Sequence, residues 1–503
     1  MAAVEPEPPP APAAAAGEEE KEEEEEEEED GGDDAEALRT LEELVAELYR
    51  FRDGLRRAPG GDGNRGDAGD GNHGDGDPGD PGDPGDGDRG DTAAALEEEM
   101  EKTLRRMDEV QVSARSRGRA LVLRARALSA LPGDPRAEAA LGRAVKLAPA
   151  LPEAWTRLGE ARWRHGDLEA ARECFAGALR HGPDKEALRC LSMALRQAGR
   201  DAGAVRESVE HAKAAVRLDP ADGRSWYVLG NAYAALFFAG GQSPEAARWA
   251  LGAYARAEKV DPEAANNPDL HLNRATLLQY EESYGQALEG FARAAALEPG
   301  WAEPRLRHGR LLDYLGRLCA LLANRGKVGA RRLRGLLGTL PPALLGPLGR
   351  PGGPAPVPLA TLRPGPNPGK VLLGRVLFSL TPHERVPFTL GLADGAGAPV
   401  AVSVYNADAA WGVLVGDAVA LAEPNVRHHH VQHQGQTFSF VGIRVATPLG
   451  LVVNGRCPRP RAQAPTGLAC RPPPPPSPSP SGPPASPPPA GATTTGGDIP
   501  PPP

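Results

Sequence analysis

The stretch AWTRLGEARWRHGDLEAARECFAGALRHGP (residues 154–183) decides the fold, because its spacing of large, small and turn-forming residues recurs along the chain. The first half of the pattern recurs from Trp226, and the second half recurs from Ala250 after an eight-residue insertion around GGQSP. A third copy begins at His271, and two weaker copies end at residues 149 and 220. The residues that define the pattern are Trp155, Leu158, Gly159, Gly166, Ala171, Phe175, Ala178 and Pro183.

This spacing is that of the 34-residue tetratricopeptide repeat, in which two helices, A and B, pack as an antiparallel pair. Small residues let the two helices approach closely, aromatic residues fill the space between them, and the final proline ends helix B. We therefore predict an all-α tetratricopeptide superhelix over residues 116–325. Residues 301–324 are expected to supply the closing helices that such arrays need.

The segment before the repeats is strongly acidic. Residues 1–34 contain 16 acidic residues and one lysine, and residues 61–91 contain 10 aspartates and two arginines. Outside these two segments the chain carries a net charge of +12, although the whole chain has −11. We predict an acidic disordered tail at 1–34, a helix at 35–57, a Gly/Asp-rich disordered loop at 58–92 and a helix at 93–115.

After the repeats, the apolar residues change from helical spacing to alternation. Residues 326–354 are basic and then rich in proline and glycine, which predicts a linker. Short alternating segments within 355–456, such as KVLLGRVLFSL (370–380), predict a small five-stranded OB-fold barrel. Residues 457–503 are proline-rich and are predicted to be disordered. The fold class is therefore multidomain α + β: a helical superhelix, then a small all-β barrel, with disordered tails.

Composition narrows the classes of function. The five cysteines form no C-x-x-C pair, which favours free thiols in a reducing compartment. An apolar run long enough to span a membrane and a signal-peptide pattern are both missing, so we expect a soluble intracellular protein without a membrane partner. The histidines of VRHHHVQHQ (426–434) alternate between strand faces, so we predict no metal site there. We also find no catalytic frame or phosphate-binding loop, and therefore predict no enzyme activity and no cofactor.

The chain resembles the tetratricopeptide repeat protein 5 family, also called stress-responsive activators, in four stretches: LRCLSMALRQ (188–197), DGRSWYVLGNAY (222–233), NPDLHLNRATLLQYEESYGQALEGFARAAALEP (267–299) and VYNADAAWGVLVGDAVAL (404–421). The resemblance covers roughly residues 36–56 and 93–456. It implies a non-enzymatic adaptor of the cytoplasm and nucleus. Implied partners are a nascent tubulin N-terminal peptide, the ribosome, an mRNA-decay adaptor, a histone acetyltransferase coactivator and an actin-nucleating cofactor.

Within the repeat frame of the tetratricopeptide family, fixed positions on each helix A face the inner groove. The peptide-binding candidates placed by that frame or close to it are Arg196, Arg224, Asn231, Asp269, Tyr280 and Glu303. An asparagine donates to and accepts from a peptide backbone, an arginine pairs with a carboxylate, and an acidic side chain pairs with a cation. The resemblance also suggests that Arg143 and Lys146 contact ribosomal RNA, and Arg331, Arg332 and Arg334 are weaker candidates for the same contact.

Several alternatives stay open on the sequence. Arg196 and Asp269 could pair with neighbouring repeats, and Arg143 and Lys146 could belong to an ordinary solvated face. A nuclear coactivator could contact chromatin or DNA through the barrel, where Tyr405 and Trp411 would be the exposed aromatic residues. A cochaperone is a third possibility, but only Asn231 fits the clamp of lysines, asparagines and arginine that such proteins use.

Overall fold

The computed structural model describes residues 16–57, 86–131, 133–198, 202–240, 242–338, 340–380 and 387–462. The chain begins with two helices, α1 (Ala16–Arg57) and α2 (Asp86–Glu109). The array then consists of α3 (Arg117–Leu128), α4 (Pro135–Leu147), α5 (Pro152–Arg164), α6 (Leu168–His181), α7 (Lys185–Ala198), α8 (Ala202–Leu218), α9 (Gly223–Ala239), α10 (Pro244–Val260), α11 (Pro268–Tyr280), α12 (Tyr284–Leu297) and α13 (Ala302–Ala323).

The repeat residues form the contacts that the pattern predicts. A Cβ added to Gly159 would lie 2.5 Å from Phe175, and one added to Gly230 would lie 2.5 Å from Tyr254, so both glycines permit close helix packing. The indole of Trp155 donates to the carbonyl oxygen of Pro149 at 2.8 Å. In the third copy, His271 occupies the tryptophan position and makes the equivalent bond to Ala265 at 2.8 Å. The predicted helical array is confirmed.

The N-terminal boundaries differ from the prediction. Helix α1 begins at Ala16 rather than at residue 35, so the poly-glutamate run predicted as disordered lies within a helix. Glutamate has a high helix propensity, and adding residues to an existing helix is far easier than starting one. Helix α2 begins at Asp86 rather than at residue 93. Most of the predicted acidic loop, residues 58–85, lies outside the described residues, as do residues 1–15.

The two N-terminal helices pack on the first helix of the array. Their shared core joins α1, α2 and α3 through buried Leu48, Met100 and Leu123. Asp34 accepts hydrogen bonds from the backbone N–H of Ser113 at 2.8 Å and from the hydroxyl of Ser116 at 2.7 Å. The helix pair is therefore an extension of the array.

The predicted linker is also structured. Helix α14 (Ala330–Leu337) buries Leu333 in the core shared by the last repeats and the barrel. A 3-10 segment, Pro342–Gly349, buries Leu345 against the strands. The stretch GARRLRGLLG (329–338) has amphipathic spacing, although the proline and glycine residues that follow it are typical of an irregular chain. Residues 326–354 therefore pack on the fold, and the description of them as a linker was wrong.

The barrel contains β1 (Ala355–Pro356), β2 (Lys370–Leu380), β3 (Phe388–Ala393), β4 (Pro399–Val404), β5 (Ala418–Ala422), β6 (Asn425–His433), β7 (Gln436–Val445) and β8 (Leu451–Val453). Strand β2 pairs with β3 and β5, β4 pairs with β3 and, in parallel, with β7, and β6 pairs with β7. Only Glu423 and Pro424 separate β5 from β6, so these two act as one bent strand that closes a five-stranded barrel. The OB-fold prediction is confirmed.

The barrel ends slightly later than predicted. Residues 460–462 form a 3-10 turn, and the buried Ala462 accepts a hydrogen bond from the backbone N–H of Asp408 at 2.8 Å. The backbone of this segment is thus held by the barrel, and the predicted disordered tail does not begin at residue 457. The remainder of that tail, residues 463–503, lies outside the described residues.

The array and the barrel share one apolar core. Leu288, Phe291 and Leu315 from α12 and α13 belong to the same buried cluster as Phe378 and Phe438 from the strands. At the centre of this contact, the Tyr314 hydroxyl lies 2.9 Å from the Thr389 hydroxyl on β3. Helix α13 thus closes the array on one side and covers the outside of the barrel on the other.

Candidate peptide-binding groove

The A helices α5, α7, α9 and α11 follow one another along a single face of the array, with α5 contacting α7 and α9 contacting both α7 and α11. Ion pairs join neighbouring repeats along this face. Arg157 pairs with Glu186 at 3.2 Å, and Lys185 pairs with Asp219 at 2.6 Å. Arg189 also pairs with Asp222, and both side chains are largely buried. These three ion pairs between neighbouring repeats are formed by residues other than the predicted candidates.

Asn231 lies at the centre of a polar cluster on this face. Its Oδ1 accepts hydrogen bonds from the Tyr254 hydroxyl at 2.7 Å and from Nδ2 of Asn273 at 3.1 Å. The same Asn273 amide lies 3.5 Å from the hydroxyl of Tyr227. These bonds use the acceptor half of the Asn231 amide, and a hydrogen bond from Asn231 also acts to lower the pKa of Tyr227, so at most one N–H of its Nδ2 group is left for a ligand.

Arg196 and Asp269 both lie close enough to this cluster to affect it. Burial raises the pKa of Tyr227, and the charge of Asp269 acts in the same direction while that of Arg196 opposes it. Burial also raises the pKa of Tyr254, with Arg196 again opposing the shift. Arg196 donates from Nε to the carbonyl oxygen of Ser192 at 3.3 Å. Arg196 and Asp269 thus lie within electrostatic range of Tyr227 in the Asn231 cluster.

Asp269 remains exposed at the start of α11. Partial desolvation by the surrounding protein, and then the negative charge of Glu298, raise its pKa. A carboxylate whose charge is disfavoured in this way gains from a cationic partner, because that partner compensates for the lost hydration. Asp269 is therefore suited to bind an arginine or an amine.

Glu303 and Arg224 occupy different surroundings. Glu303 accepts a hydrogen bond from Arg307 Nε at 2.8 Å on α13, and Arg307 also donates to the hydroxyl of Thr276 at 3.0 Å. A ligand cation would therefore have to compete with Arg307 for this carboxylate. Arg224 lies exposed in the first turn of α9.

Tyr280 was predicted to line the groove, but the structure places it between the array and the barrel. Its ring lies 4.7 Å from that of Tyr405, and the Arg444 guanidinium lies 5.6 Å from its centroid. Phe237 and Phe238 pack edge-on against it, each at 5.4 Å. The repeat frame does not include the barrel, and for this reason it could not reveal the contact.

The residues that anchor the barrel lie at two turns between helices A and B. Gln242 and Glu282 both have positive φ, of 64°, where the repeat over residues 154–183 has Gly166 with φ of 87°. Gln242 donates to Asn406 of the barrel. Glu282 is buried, accepts from the Tyr405 hydroxyl at 3.0 Å, and pairs with Arg427 and Arg444. This turn position usually holds glycine. The non-glycine residues Gln242 and Glu282 were therefore the sequence signal that these two turns make a special contact.

The barrel face that a nucleic-acid ligand would use in an OB-fold is occupied in this chain. OB-folds commonly bind single strands on the face of their second and third strands, which are β3 and β4 here. Helix α13 lies on that face, through the Tyr314–Thr389 contact and the shared core. Tyr405, which was expected to be exposed, is fully buried, while Trp411 is half-buried.

The two ribosome candidates lie on the outer surface of the array. Arg143 and Lys146 are exposed on α4, and within the described residues neither forms an ion pair. Arg331, Arg332 and Arg334 are exposed on α14. Both surfaces are compatible with phosphate binding, but also with ordinary hydration.

Comparisons with known proteins agree with this architecture. Residues 355–466 match the family model for the tetratricopeptide repeat protein 5 OB fold domain. The chain is 52% identical to mouse tetratricopeptide repeat protein 5 over 392 residues, which cover 75% of this chain and 89% of the mouse protein. It is 47% identical to the human protein over 450 residues, covering 86% and 97% of the two chains.

The chain belongs to the tetratricopeptide repeat protein 5 family. As a member of this family it is a tetratricopeptide adaptor that binds other proteins. A solved tetratricopeptide repeat protein of Thermus thermophilus matches 39% of this chain and 98% of its own length, at 22% identity and a TM-score of 0.32. That likeness adds nothing beyond the helical pairs described above.

No group of three or more histidine, cysteine, aspartate or glutamate side chains in the described segments is arranged to hold a metal ion. Among the helices that the structure describes, none is both long and apolar enough to cross a membrane.

Proposed function

We propose that this protein is a non-enzymatic adaptor that recognises the N-terminal peptide of nascent tubulin at the ribosome and thereby triggers decay of tubulin mRNA. The observation that carries the proposal is that the charges of Arg196 and Asp269 both act on Tyr227, whose hydroxyl shares the Asn273 amide with Asn231. A cation, an amide and a carboxylate placed together on one face complement a short peptide with charges of both signs.

Each group has a separate task in this proposal. The Arg196 guanidinium forms a bidentate pair with a glutamate side chain of the peptide. Asp269 binds an arginine side chain or the peptide's terminal amine, which offsets its desolvation. The Asn231 amide donates to a backbone carbonyl and fixes the register of the peptide. Arg224 and Glu303 extend the charged surface on either side.

The other partners are proposed on the family resemblance. Arg143 and Lys146 on α4 contact ribosomal RNA, where phosphate favours exposed cations. The adaptor then recruits an mRNA-decay factor in the cytoplasm. In the nucleus it scaffolds a histone acetyltransferase coactivator and an actin-nucleating cofactor. DNA contact by the barrel, the alternative function, would need a surface other than the one covered by α13.

The test is a charge reversal, Arg196→Glu, compared with Arg180→Glu, which changes an exposed arginine on helix B α6. Tubulin nascent chains on stalled ribosomes are captured with each variant. We expect Arg196→Glu to reduce capture at least tenfold and Arg180→Glu to leave it unchanged. Both should keep their free energy of unfolding within about 1 kcal/mol of wild type, as surface changes usually do. Equal capture by the two variants would refute the assignment.

A further inference from the structure

A cavity of about 560 Å³ lies on the barrel at the point where the described chain ends. It lies apart from the groove and from the contact between array and barrel. Its walls come from the loop between β4 and β5 and from the segment that follows β8. The residues that matter for its chemistry are Asp408, Trp411, Arg456, Cys457, Arg459 and Arg461.

Backbone hydrogen bonds and an aromatic contact fix the walls of this cavity. The backbone N–H of Trp411 donates to Asp408 at 2.9 Å, and the backbone N–H of Asp408 donates to Ala462 at 2.8 Å. The Trp411 indole packs against Phe388 with 5.3 Å between ring centroids and 72° between the planes. The ring is therefore fixed at one edge while it lines the cavity.

The cavity carries an excess of positive charge. Arg456, Arg459 and Arg461 are exposed, and within residues 387–462 and the other described segments none of them forms an ion pair. The carboxylate of Asp408 is the acidic group in the lining, and it already accepts from the backbone N–H of Ala410 at 2.9 Å. Three guanidinium groups beside one carboxylate are suited to a compact anion with several acceptor oxygens.

The proline-rich tail leaves the fold at this cavity. Its sequence RPPPPPSPSPSGPPASPPP (471–489) contains three Ser-Pro pairs, beginning at Ser477, Ser479 and Ser486. Ser477 follows Ala462 by fifteen residues. An extended polyproline chain rises about 3.1 Å per residue, so this segment is long enough to turn back to the cavity. Tethering also gives the segment a high effective concentration, on the order of millimolar for a short linker.

We propose that the cavity binds the chain's own tail when the Ser477-Pro478 pair is phosphorylated. Arginine clusters bind phosphoserine, and aromatic-lined grooves bind proline-rich segments, so this cavity combines the requirements for both parts of the ligand. The phosphate lies among Arg456, Arg459 and Arg461, and the following proline packs on Trp411.

The modification needs a proline-directed kinase and ATP. The serine Oγ forms a bond to the γ-phosphorus of ATP, the bond between that phosphorus and the β-γ bridging oxygen breaks, ADP leaves, and the hydroxyl proton goes to the kinase base. The product carries a charge of about −2 at neutral pH and additional acceptor oxygens. Without the phosphate, the tail segment offers the three arginines no anion, and Arg471 adds repulsion.

The test uses the full chain with Ser477→Ala, Ser479→Ala and Ser486→Ala, so that its own tail cannot occupy the cavity in the proposed way. A labelled peptide of residues 471–482 phosphorylated at Ser477 is titrated and its anisotropy measured. We expect it to bind at least tenfold tighter than the unphosphorylated peptide, and at least fivefold tighter than a phosphopeptide with Pro478→Ala. Equal affinities for the first two peptides would overturn the proposal.

Two further measurements fix the place and the source of the ligand. Arg459→Glu with Arg461→Glu should abolish binding, whereas Arg217→Glu on α8, an exposed arginine of the array, should not. Wild-type chain phosphorylated by a proline-directed kinase should no longer bind the probe, because its own tail fills the cavity. Undiminished binding in that form would overturn the intramolecular assignment. Tighter binding of a single-stranded oligonucleotide than of the phosphopeptide, lost in the same Arg459/Arg461 variant, would show a nucleic-acid site instead.

Discussion

Gly230 shows how closely helices α9 and α10 approach each other. An added Cβ would lie 2.5 Å from Cε1 and 2.6 Å from Cδ1 of the buried Tyr254 ring, which also donates to Asn231. We expect Gly230→Ala to lower the free energy of unfolding by about 1–3 kcal/mol, because the packed ring cannot move away without strain. Urea denaturation of the full chain measures this change.

The matched control for Gly230→Ala is Gly252→Ala in α10, where an added Cβ would meet nothing within 4 Å. Alanine is favoured over glycine within a helix, so this variant should raise the free energy of unfolding by about 0.5–1 kcal/mol. If both substitutions shifted stability in the same direction, close packing would not explain the glycine at 230.

Glu282 combines an unusual backbone conformation with a buried charge. Its φ of 64° belongs to the left-handed region, and its side chain is 3% exposed between Arg427 and Arg444. Removing the Glu282 carboxylate leaves the charges of Arg427 and Arg444 without compensation. Glu282→Ala should therefore lower the free energy of unfolding by about 3 kcal/mol. Hydrogen exchange at β6 and β7 measures the loosened contact with the array.

Two other variants separate charge from side-chain volume at this position. Glu282→Gln keeps an acceptor for the Tyr405 hydroxyl and should cost less than Glu282→Ala. Glu289→Ala on α12 removes an exposed carboxylate and should leave exchange at β6 unchanged. Equal exchange in Glu282→Ala and Glu289→Ala would mean that the buried carboxylate does not hold the barrel in place.

Among the elements, the helices and their contacts within one repeat were predictable from the sequence. The contacts between the array and the barrel were not. The spacing from Trp155 to Pro183 encodes contacts within one repeat, such as that of Gly159 with Phe175, and these are local in sequence. Strand β6 was expected from the alternating histidines of residues 426–434, but what it packs against was not. Its Arg427 and His429 face Glu282, which lies about 145 residues earlier, and sequence spacing carries no information about such a pair.

For the candidate site, the sequence predicted which residues share a face of the array, but not the contacts that they make. The repeat frame placed Arg196, Asn231 and Asp269 on one face, because helix A repeats at a fixed interval. It could not show that Asn231 Oδ1 is already bonded to Tyr254 and Asn273. It also could not show that Tyr280 lies against the barrel, because that contact depends on how the two domains pack.

On the scale of the whole molecule, histidines couple the packing of array and barrel to pH. Nε2 of His308 on α13 lies 2.8 Å from Nε2 of His433 on β6, so one of these nitrogens must lack a proton. Burial and the neighbouring His433 lower the pKa of His308. Burial, and then the charges of Arg427 and His428, lower the pKa of His429 from 6.5 to about 4. The packed state therefore favours neutral imidazoles.

The sign of the pH dependence follows from these lowered pKa values. The unfolded chain binds protons below pH 6.5 that the packed histidines do not, so their contribution is complete above that pH and is lost as pH falls towards 4. For His429, which is 9% exposed, the loss is on the order of 3 kcal/mol. Glu282 acts in the opposite direction, because burial raises its pKa and acid therefore favours its packed form.

Thermal unfolding of wild type between pH 7 and 4 should show a falling midpoint, with a steeper fall in Glu282→Gln and a shallower fall in His429→Gln. A midpoint in His429→Gln that fell as steeply as wild type would refute the role of this histidine, since the remaining groups would then account for the whole pH dependence.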